Sequence, residues 1–307
     1  MSRFSVYLVL ALMISGLWAC FDHRIPSITP GSPTTRLRVK TLALDQPNNQ
    51  AKVSSFTYDA QGRLSSILTY QTPDSILSDI QYSIYEYDGQ NRLAQLRRSA
   101  LPYPRPQGNQ LNFIEQYSYS YNATGQVSQI SHSGGLTWRF DYNNEQLTNG
   151  SVGYSHPRFT IRGALAFTFT GNNLTQTVGG TGITFQGMPP GSSSGFPGVS
   201  TATYTHDDKL NPFYGVFVIA SPFGGPANVL SGPNIPTALF GGIDNVLNLS
   251  QNNVLTDTPL NNFRELVTYQ YQYNAANLPT VRVKTSTFPA PNNFVGVETL
   301  RFGYESY

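Results

Sequence analysis

One short segment of the chain concentrates side chains that could do chemistry: His206, Asp207 and Asp208 are consecutive. A histidine beside carboxylates can ligate a metal ion, or act as a general base that a carboxylate orients. Consecutive residues of a strand point to opposite faces, however, so these three could converge only at a sharp turn. Asn211 and Pro212 follow closely. We therefore interpret the segment as a polar turn between strands rather than as a catalytic or metal site.

The sequence carries no other recognisable catalytic pattern. It contains no Gly-x-Ser-x-Gly elbow, no phosphate-binding glycine loop and no His/Cys spacing typical of a metal site. Two carboxylates that are distant in sequence could still meet in space, so an envelope glycan hydrolase stays as the alternative function. The prediction is a protein that is not an enzyme, with no catalytic residue, no metal and no cofactor.

The single cysteine, Cys20, offers a different kind of chemistry. It closely follows an apolar run from Tyr7 to Trp18, and one basic residue, Arg3, precedes that run. A run of this length is short for a bilayer span and typical of a secretory signal. An ordinary secretory signal or a short uncleaved anchor would share these features. Modification of the cysteine would explain why an exported chain carries one unpaired thiol.

The sequence Leu17-Trp18-Ala19-Cys20 resembles the lipobox of bacterial lipoproteins. The resemblance implies cleavage before Cys20 and acylation of its sulfur and its new α-amino group. Residues 1–19 would then be the signal peptide. Residues 20–36, which are rich in proline, serine and threonine, would be an extended lipidated tether, and residues 37–307 would be the folded domain.

Composition excludes one class of partner. Charged residues are 12% of the chain, whereas about 25% is typical of soluble domains. The chain has 19 Lys and Arg against 17 Asp and Glu, which gives a formal net charge of +2. This is not the basic footprint of a nucleic-acid-binding protein. Instead 19 Tyr and 18 Phe stand out, which is typical of β-rich exported proteins.

A repeated turn motif organises the chain beyond the tether. Its full form occupies Tyr58–Leu64, Tyr87–Leu93 and Tyr121–Val127, and a shorter form occurs at 142–147, 169–174 and 273–278. The Asp or Asn after the aromatic residue can accept a hydrogen bond from the backbone two residues on. The Gly or Asn near the end of the turn tolerates the left-handed conformation. Each segment therefore predicts the turn of one β-hairpin.

Strict alternation before two of these turns predicts strands with one aromatic face. Every second residue is tyrosine at 117, 119 and 121, between serines, and again at 269, 271 and 273, between glutamines. The aromatic face could pack as cross-strand pairs inside the sheet. Alternatively, an exposed part of it could form a platform for a glycan or a protein. The sequence leaves both interpretations open.

The segment Phe56–Leu64 resembles the YD repeats of Rhs-type bacterial surface proteins, whose signature is Tyr-x-Tyr-Asp-x-x-Gly-Arg-Leu. The segment Tyr204–Gly215 is similar to one found in YD-like lipoproteins of Bacteroidetes-type bacteria. The resemblance implies an antiparallel sheet and supplies no catalytic residues. Because the copies are few and irregular, we expect an open sheet rather than a closed, toxin-enclosing shell.

Stretches rich in glycine and proline predict long loops at 101–110, 179–198, 221–236 and 288–293. After the signal sequence, no segment favours a helix of ten or more residues. The predicted fold is therefore all-β: an elongated antiparallel sheet built from YD-type strand-turn-strand repeats, with long Gly/Pro-rich loops.

These observations predict a non-catalytic lipoprotein of the bacterial outer membrane, facing the periplasm or exposed on the cell surface. Its partners would be the membrane, through the lipid on Cys20, and a glycan or an envelope protein. We expect a monomer with a binding or structural role and no nucleic-acid partner.

Overall fold

The computed structural model describes residues 31–32, 36–73, 80–101, 113–185, 187, 200–215, 246–259, 266–288 and 294–307. The strands are β1 Gly31–Ser32, β2 Leu37–Gln46, β3 Gln50–Tyr58, β4 Leu64–Thr72, β5 Ile80–Tyr87, β6 Leu93–Leu101, β7 Phe113–Tyr121, β8 Val127–His132, β9 Thr137–Asn143, β10 Gln146–His156, β11 Phe159–Thr170, β12 Asn173–Phe185, β13 Ser200–Leu210, β14 Asn252–Pro259, β15 Leu266–Tyr273, β16 Pro279–Thr287 and β17 Val295–Ser306. A 3-10 helix occupies Leu247–Leu249. Within these ranges, no helix has the length and apolar character needed to cross a membrane.

The strands form one antiparallel sheet that closes on itself. From β2 to β17 each strand pairs with the next along the chain, and β17 returns to pair with β2. These sixteen strands make an up-and-down barrel. The predicted all-β antiparallel class is confirmed, whereas the predicted elongated, open sheet is wrong. Strand β1, inside the predicted tether, adds a two-residue pairing beside β2.

Barrel closure creates an interior in which the aromatic faces of the strands are buried. Tyr117 and Tyr119 are 3% and 9% exposed, and Tyr269 is 6% exposed. They join one apolar cluster that extends around the inner wall and includes Phe56 and Trp138. An open sheet of this length would leave two unpaired edges and a solvated aromatic face, and a closed barrel has neither.

The outer wall has the opposite character. Exposed residues alternate along the strands with the buried ones, and most are polar, for example Ser120, Arg139, Thr168, Gln270 and Arg301. Among the described residues, the large apolar side chains exposed on this wall are those of Leu68, Tyr82, Leu266, Val295 and Val297. The barrel is therefore apolar inside and largely polar outside.

All six predicted turn segments connect hairpins, as expected. Because the strands run alternately up and down, these turns lie at one end of the barrel, here called the repeat end. In the first turn, one carboxylate oxygen of Asp59 accepts hydrogen bonds from the backbone N–H groups of Gln61 and Arg63, both at 2.9 Å. Gly62 has the predicted left-handed backbone, with φ +81°, and Asn91 replaces it in the second turn with φ +62°.

Side chains at the repeat end connect neighbouring turns through hydrogen bonds and ring contacts. The hydroxyl of Tyr87 donates a hydrogen bond to the backbone carbonyl of Leu64 at 2.5 Å. The guanidinium of Arg63 lies 4.2 Å from the centre of the Tyr87 ring, a cation–π contact. Equivalent hydroxyl-to-carbonyl bonds join Tyr58 to Val39, Tyr121 to Leu93, Tyr142 to Val127, Tyr271 to Val254 and Tyr304 to Pro279.

A short segment after β13 crosses the interior at the repeat end. Phe213 packs against Phe56 with ring centroids 6.3 Å apart, although β3 and β13 lie six strands apart around the barrel. The side-chain amide of Asn211 donates to the backbone carbonyls of Leu247 and Ser250, at 3.2 and 3.1 Å. These contacts place Asn211 and Phe213 inside the barrel at this end.

The predicted start of the loop at 179–198 is wrong, because the preceding strand continues beyond residue 179. The glycines at 179, 180 and 182 belong to β12, which continues to Phe185. A Cβ atom at Gly179 would lie 2.3 Å from the carbonyl oxygen of Ala164 and 2.7 Å from a methyl group of Leu165. Gly179 thus allows close strand packing here, and does not mark a loop.

Candidate functional site

The His206–Asp208 segment does not form the predicted turn. It lies within β13, where the pairing with β14 is irregular. One oxygen of Asp207 accepts hydrogen bonds from the backbone N–H groups of Lys209 and Asn253, at 2.9 and 3.1 Å. The side chain of Asp208 is 83% exposed and pairs with the Lys209 ammonium. The predicted turn begins later, because Asn211 accepts from the backbone N–H of Phe213 at 2.9 Å.

His206 has a structural environment as well. Its Nε2 lies 3.0 Å from the hydroxyl of Ser250, which also accepts from the backbone N–H of Leu174 at 3.0 Å. Burial lowers the pKa of His206, and the nearby Asp207 carboxylate opposes that shift. Asp207 also accepts the hydroxyl proton of Tyr273, and burial together with this bond raises the pKa of Tyr273. These contacts hold β13 against β14 and the neighbouring strands, and the three side chains do not converge on a shared point.

Two other sequence interpretations have different outcomes. Cys20 lies outside the described residues, so its lipidation stays a prediction. The tyrosine faces that contain Tyr117 and Tyr269 are buried in the core. Packing is therefore their role, and the exposed-platform interpretation is wrong for these two residues.

The fold brings together a cluster that the sequence analysis missed, here called the inner polar cluster: Gln81, Arg98, Glu115, Tyr117, His132 and Trp138. It lies on the inner wall towards the end of the barrel opposite the repeat end, here called the loop end. Arg98 stands directly across from Glu115 on β6 and β7, and Tyr117 directly across from His132 on β7 and β8. Their side chains therefore share one face of the sheet.

A buried ion pair is the centre of this cluster. The side chains of Arg98 and Glu115 are 5% and 1% exposed, with 3.7 Å between the guanidinium and the carboxylate. Arg98 donates to the amide oxygen of Gln81 at 2.6 Å, and the hydroxyl of Tyr117 donates to Glu115 at 3.3 Å. Burial, with the Glu115 charge, raises the pKa of Tyr117. Buried charges require such partners, because removal from water costs several kcal/mol for each ion.

Two N–H donors of the cluster have no acceptor in the described part of the chain. His132 Nδ1 accepts from the backbone N–H of Gly134 at 3.0 Å, which places the proton of the neutral ring on Nε2. That Nε2 is 3.7 Å from Glu115, beyond hydrogen-bond distance. The indole N–H of Trp138 also has no hydrogen-bond partner. An unpaired buried donor costs about 1–3 kcal/mol, so each such group calls for an explanation.

A row of aromatic rings adjoins the cluster at the loop end, here called the aromatic row: Tyr154, His156, Phe159 and Phe185. Across the strands His156 pairs with Phe159, and Phe159 pairs with Phe185. Their ring centroids are 5.0 and 6.1 Å apart, and Tyr154 lies 6.4 Å from His156 with the two rings only 15° from parallel. Phe185 is 41% exposed, and the other three are partly exposed.

The aromatic row and the inner polar cluster are neighbours on one wall. Trp138 pairs directly with Val152, two residues before Tyr154, so Trp138 and Tyr154 are diagonal neighbours on the same face. Gly135, three residues after His132, faces the Tyr154 ring, and a Cβ placed there would lie 3.3 Å from it. The arrangement offers aromatic faces beside N–H donors. Among its described residues, Glu115 supplies the carboxylate.

Three solved structures are similar to this chain to different degrees. A porin-like protein from Bacteroides uniformis superposes with a TM-score of 0.52 and 14% identity, over 91% of this chain and 100% of that chain. A porin-like protein from Bacteroides vulgatus gives a TM-score of 0.35 and 12% identity, over 87% and 98%. The TcdB2-TccC3-Cdc42 complex gives a TM-score of 0.31 and 13% identity, over 88% of this chain and 13% of that chain.

The first of these similarities shows a shared fold. No protein-family model matches the sequence, and no curated protein matches it significantly.

Proposed function

We propose that this protein is a non-catalytic lipoprotein of the outer membrane. Its barrel is exposed to water and binds a ligand at the loop end. In this proposal YD-type repeats build the barrel, and acylated Cys20 holds it to the membrane. The observation that carries the proposal is the alternation of the strands, which are apolar towards the interior and mostly polar towards the outside.

A barrel inserted in lipid needs the reverse alternation, with an apolar outer band and a polar interior. Here charged and amide side chains such as Arg139 and Gln270 would face hydrocarbon. Phe56 and Phe213 meet inside the barrel at the repeat end, where a conducting pore would hold water. Both features favour a water-exposed barrel that reaches the membrane only through an anchor.

The path of the chain supports an anchor at the repeat end. Gly31 donates its backbone N–H to the carbonyl of Pro212 at 2.6 Å, beside the segment that crosses the interior there. The lipid on Cys20 would therefore attach on the repeat-end side. The loop end, with the aromatic row, would point away from the membrane.

Metabolic labelling with radioactive palmitate and cell fractionation test the anchor. We expect wild-type protein to carry the label and to sediment with membranes, whereas Cys20→Ser should be unlabelled and soluble. Trp18→Ala, in the same apolar segment, is the matched control and should keep both the label and the membrane location. Unlabelled, soluble wild-type protein would refute the proposal.

A further inference from the structure

We propose that the aromatic row at the loop end is a sugar-binding site that takes a neutral hexose ring of a glycan. The site deepens the function proposed above, since it names the ligand class for the end of the barrel that would face away from the membrane. It rests on two independent observations, the partly exposed rings of the row and the unpaired donors beside them.

The first observation concerns shape. Deeper in the barrel the inner wall is fully buried, for example at Val152 and Ile161, but the rings of the row, including Tyr154 and Phe159, are partly exposed. Tyr154 and His156 are nearly parallel, within 15°. Flat, rigid rings offer a large contact area at little entropic cost. A pyranose ring has an apolar C–H face that fits such a surface.

The second observation concerns polarity. The N–H groups of His132 and Trp138 lack acceptors within the described ranges, and Glu115 lies 3.7 Å from His132 Nε2. A hydroxyl can accept from an N–H and donate to a carboxylate at the same time. Arg98 balances the Glu115 charge, so the cluster carries no net charge to pair with an ionic ligand. The cluster therefore favours a neutral, hydroxylated ligand.

Both donors are closed to solvent. Tyr154 lies on the same face as Trp138 and nearer to the loop end, packed against Gly135. A sugar stacked on the row would reach the donors when the Tyr154 ring shifts. The environment of Trp138 should then change on binding.

The fluorescence of Trp138 provides the test. The chain has two tryptophans, Trp18 and Trp138. Trp18 lies in the proposed signal peptide, and Trp18→Phe removes its emission from any uncleaved protein, so the protein purified from this variant reports on Trp138 alone. It would be titrated in detergent with neutral hexaoses: maltohexaose, cellohexaose, laminarihexaose, mannohexaose and chitohexaose. We expect at least one to give a saturable change in emission, and Tyr154→Ala and Phe185→Ala each to weaken that binding at least tenfold.

The matched control is Tyr82→Ala on the outer wall, because Tyr82 and Phe185 are equally exposed, at 41%. Its affinity should equal that of the parent protein, and thermal melts should show that all variants are folded. Absence of binding by all five hexaoses would overturn the proposal, as would equal losses in Tyr82→Ala and Phe185→Ala. Binding of an envelope protein that survives Phe185→Ala, with no hexaose bound, would also overturn it. Palmitate labelling is a separate readout, so loss of the lipid anchor would not be mistaken for failure of this site.

Discussion

The hydroxyl of Tyr121 donates a hydrogen bond to the backbone carbonyl of Leu93 at 2.6 Å, across 28 positions of sequence. Tyr121 opens one repeat turn and Leu93 closes the previous one. The same relation joins Tyr87 to Leu64. The repeat therefore encodes more than a hairpin, because its first residue also fastens its own turn to the preceding turn.

Replacing Tyr121 with phenylalanine should destabilise the barrel by about 1–2 kcal/mol, since a mostly buried carbonyl loses its hydroxyl partner while the ring stays. Urea unfolding followed by circular dichroism measures the change. Tyr82→Phe, with a side chain on the outer wall, is the control and should match wild type. Equal midpoints for Tyr121→Phe and Tyr82→Phe would show that the bond contributes nothing.

Gly62→Val should destabilise by about 1–3 kcal/mol, because a β-branched residue tolerates a left-handed backbone poorly. The nearest atom to a Cβ placed there is 3.7 Å away, on Arg38, so the cost arises from the backbone rather than from a clash. Gly62→Asn is the matched control, since Asn91 holds φ +62° at the equivalent position. Equal melting temperatures for the asparagine and valine variants would show that the left-handed backbone at Gly62 does not limit which residue this turn accepts.

Local chemistry explains which features could be predicted from the sequence. Asp59 and Gly62 act within one turn, so their roles follow from a few neighbouring residues. Alternation likewise predicts that Tyr117, Tyr119 and Tyr121 share one face of a strand, but it does not decide whether that face is buried. Barrel closure depends on the pairing of β17 with β2, and no local signal encodes a contact between residues more than 250 positions apart.

The candidate site could be predicted only in part, for the same reason. Arg98 and Glu115 become neighbours through the register of β6 and β7, which a short pattern does not reveal. The aromatic row had little signal either. His156 and Phe159 flank Pro157-Arg158 and pair across the hairpin, but Pro-Arg is not a dipeptide that marks a two-residue hairpin, because proline cannot adopt the positive φ of the favoured turns.

The charge of Asp59 should make the first turn sensitive to acid. Partial burial alone would raise the pKa of Asp59, but hydrogen bonds from the backbone and guanidinium of Arg63 hold it below its ordinary value of 3.8. Because the folded pKa is depressed, the stabilisation is present above the unfolded pKa and is lost as pH falls through the folded value. Asp59→Asn should therefore destabilise the protein at pH 7 and differ less from wild type at pH 3. Urea unfolding at both pH values measures this, and a constant difference would contradict it.

Removing one partner of the buried Arg98–Glu115 pair should cost more stability than removing both. Glu115→Leu alone should destabilise by about 3–5 kcal/mol, because it leaves a buried guanidinium without its carboxylate. Adding Arg98→Met should recover part of that loss, since both charges are then gone from the core. Chemical unfolding of the two single variants and the double variant measures the coupling. Simple addition of the two single losses would mean that the charges do not interact.

Thiol labelling across the wall tests the central claim, a barrel with a water-facing outside. Ala164 is exposed and its neighbour Leu165 is buried, so adjacent positions of β11 sample the two faces. Acylated Cys20 would leave no other thiol, because the chain has a single cysteine. In isolated outer membranes, a charged maleimide should label Ala164→Cys rapidly and Leu165→Cys only after denaturation. Protection of Ala164→Cys together with rapid labelling of Leu165→Cys would indicate a lipid-embedded, water-filled pore and would contradict the account.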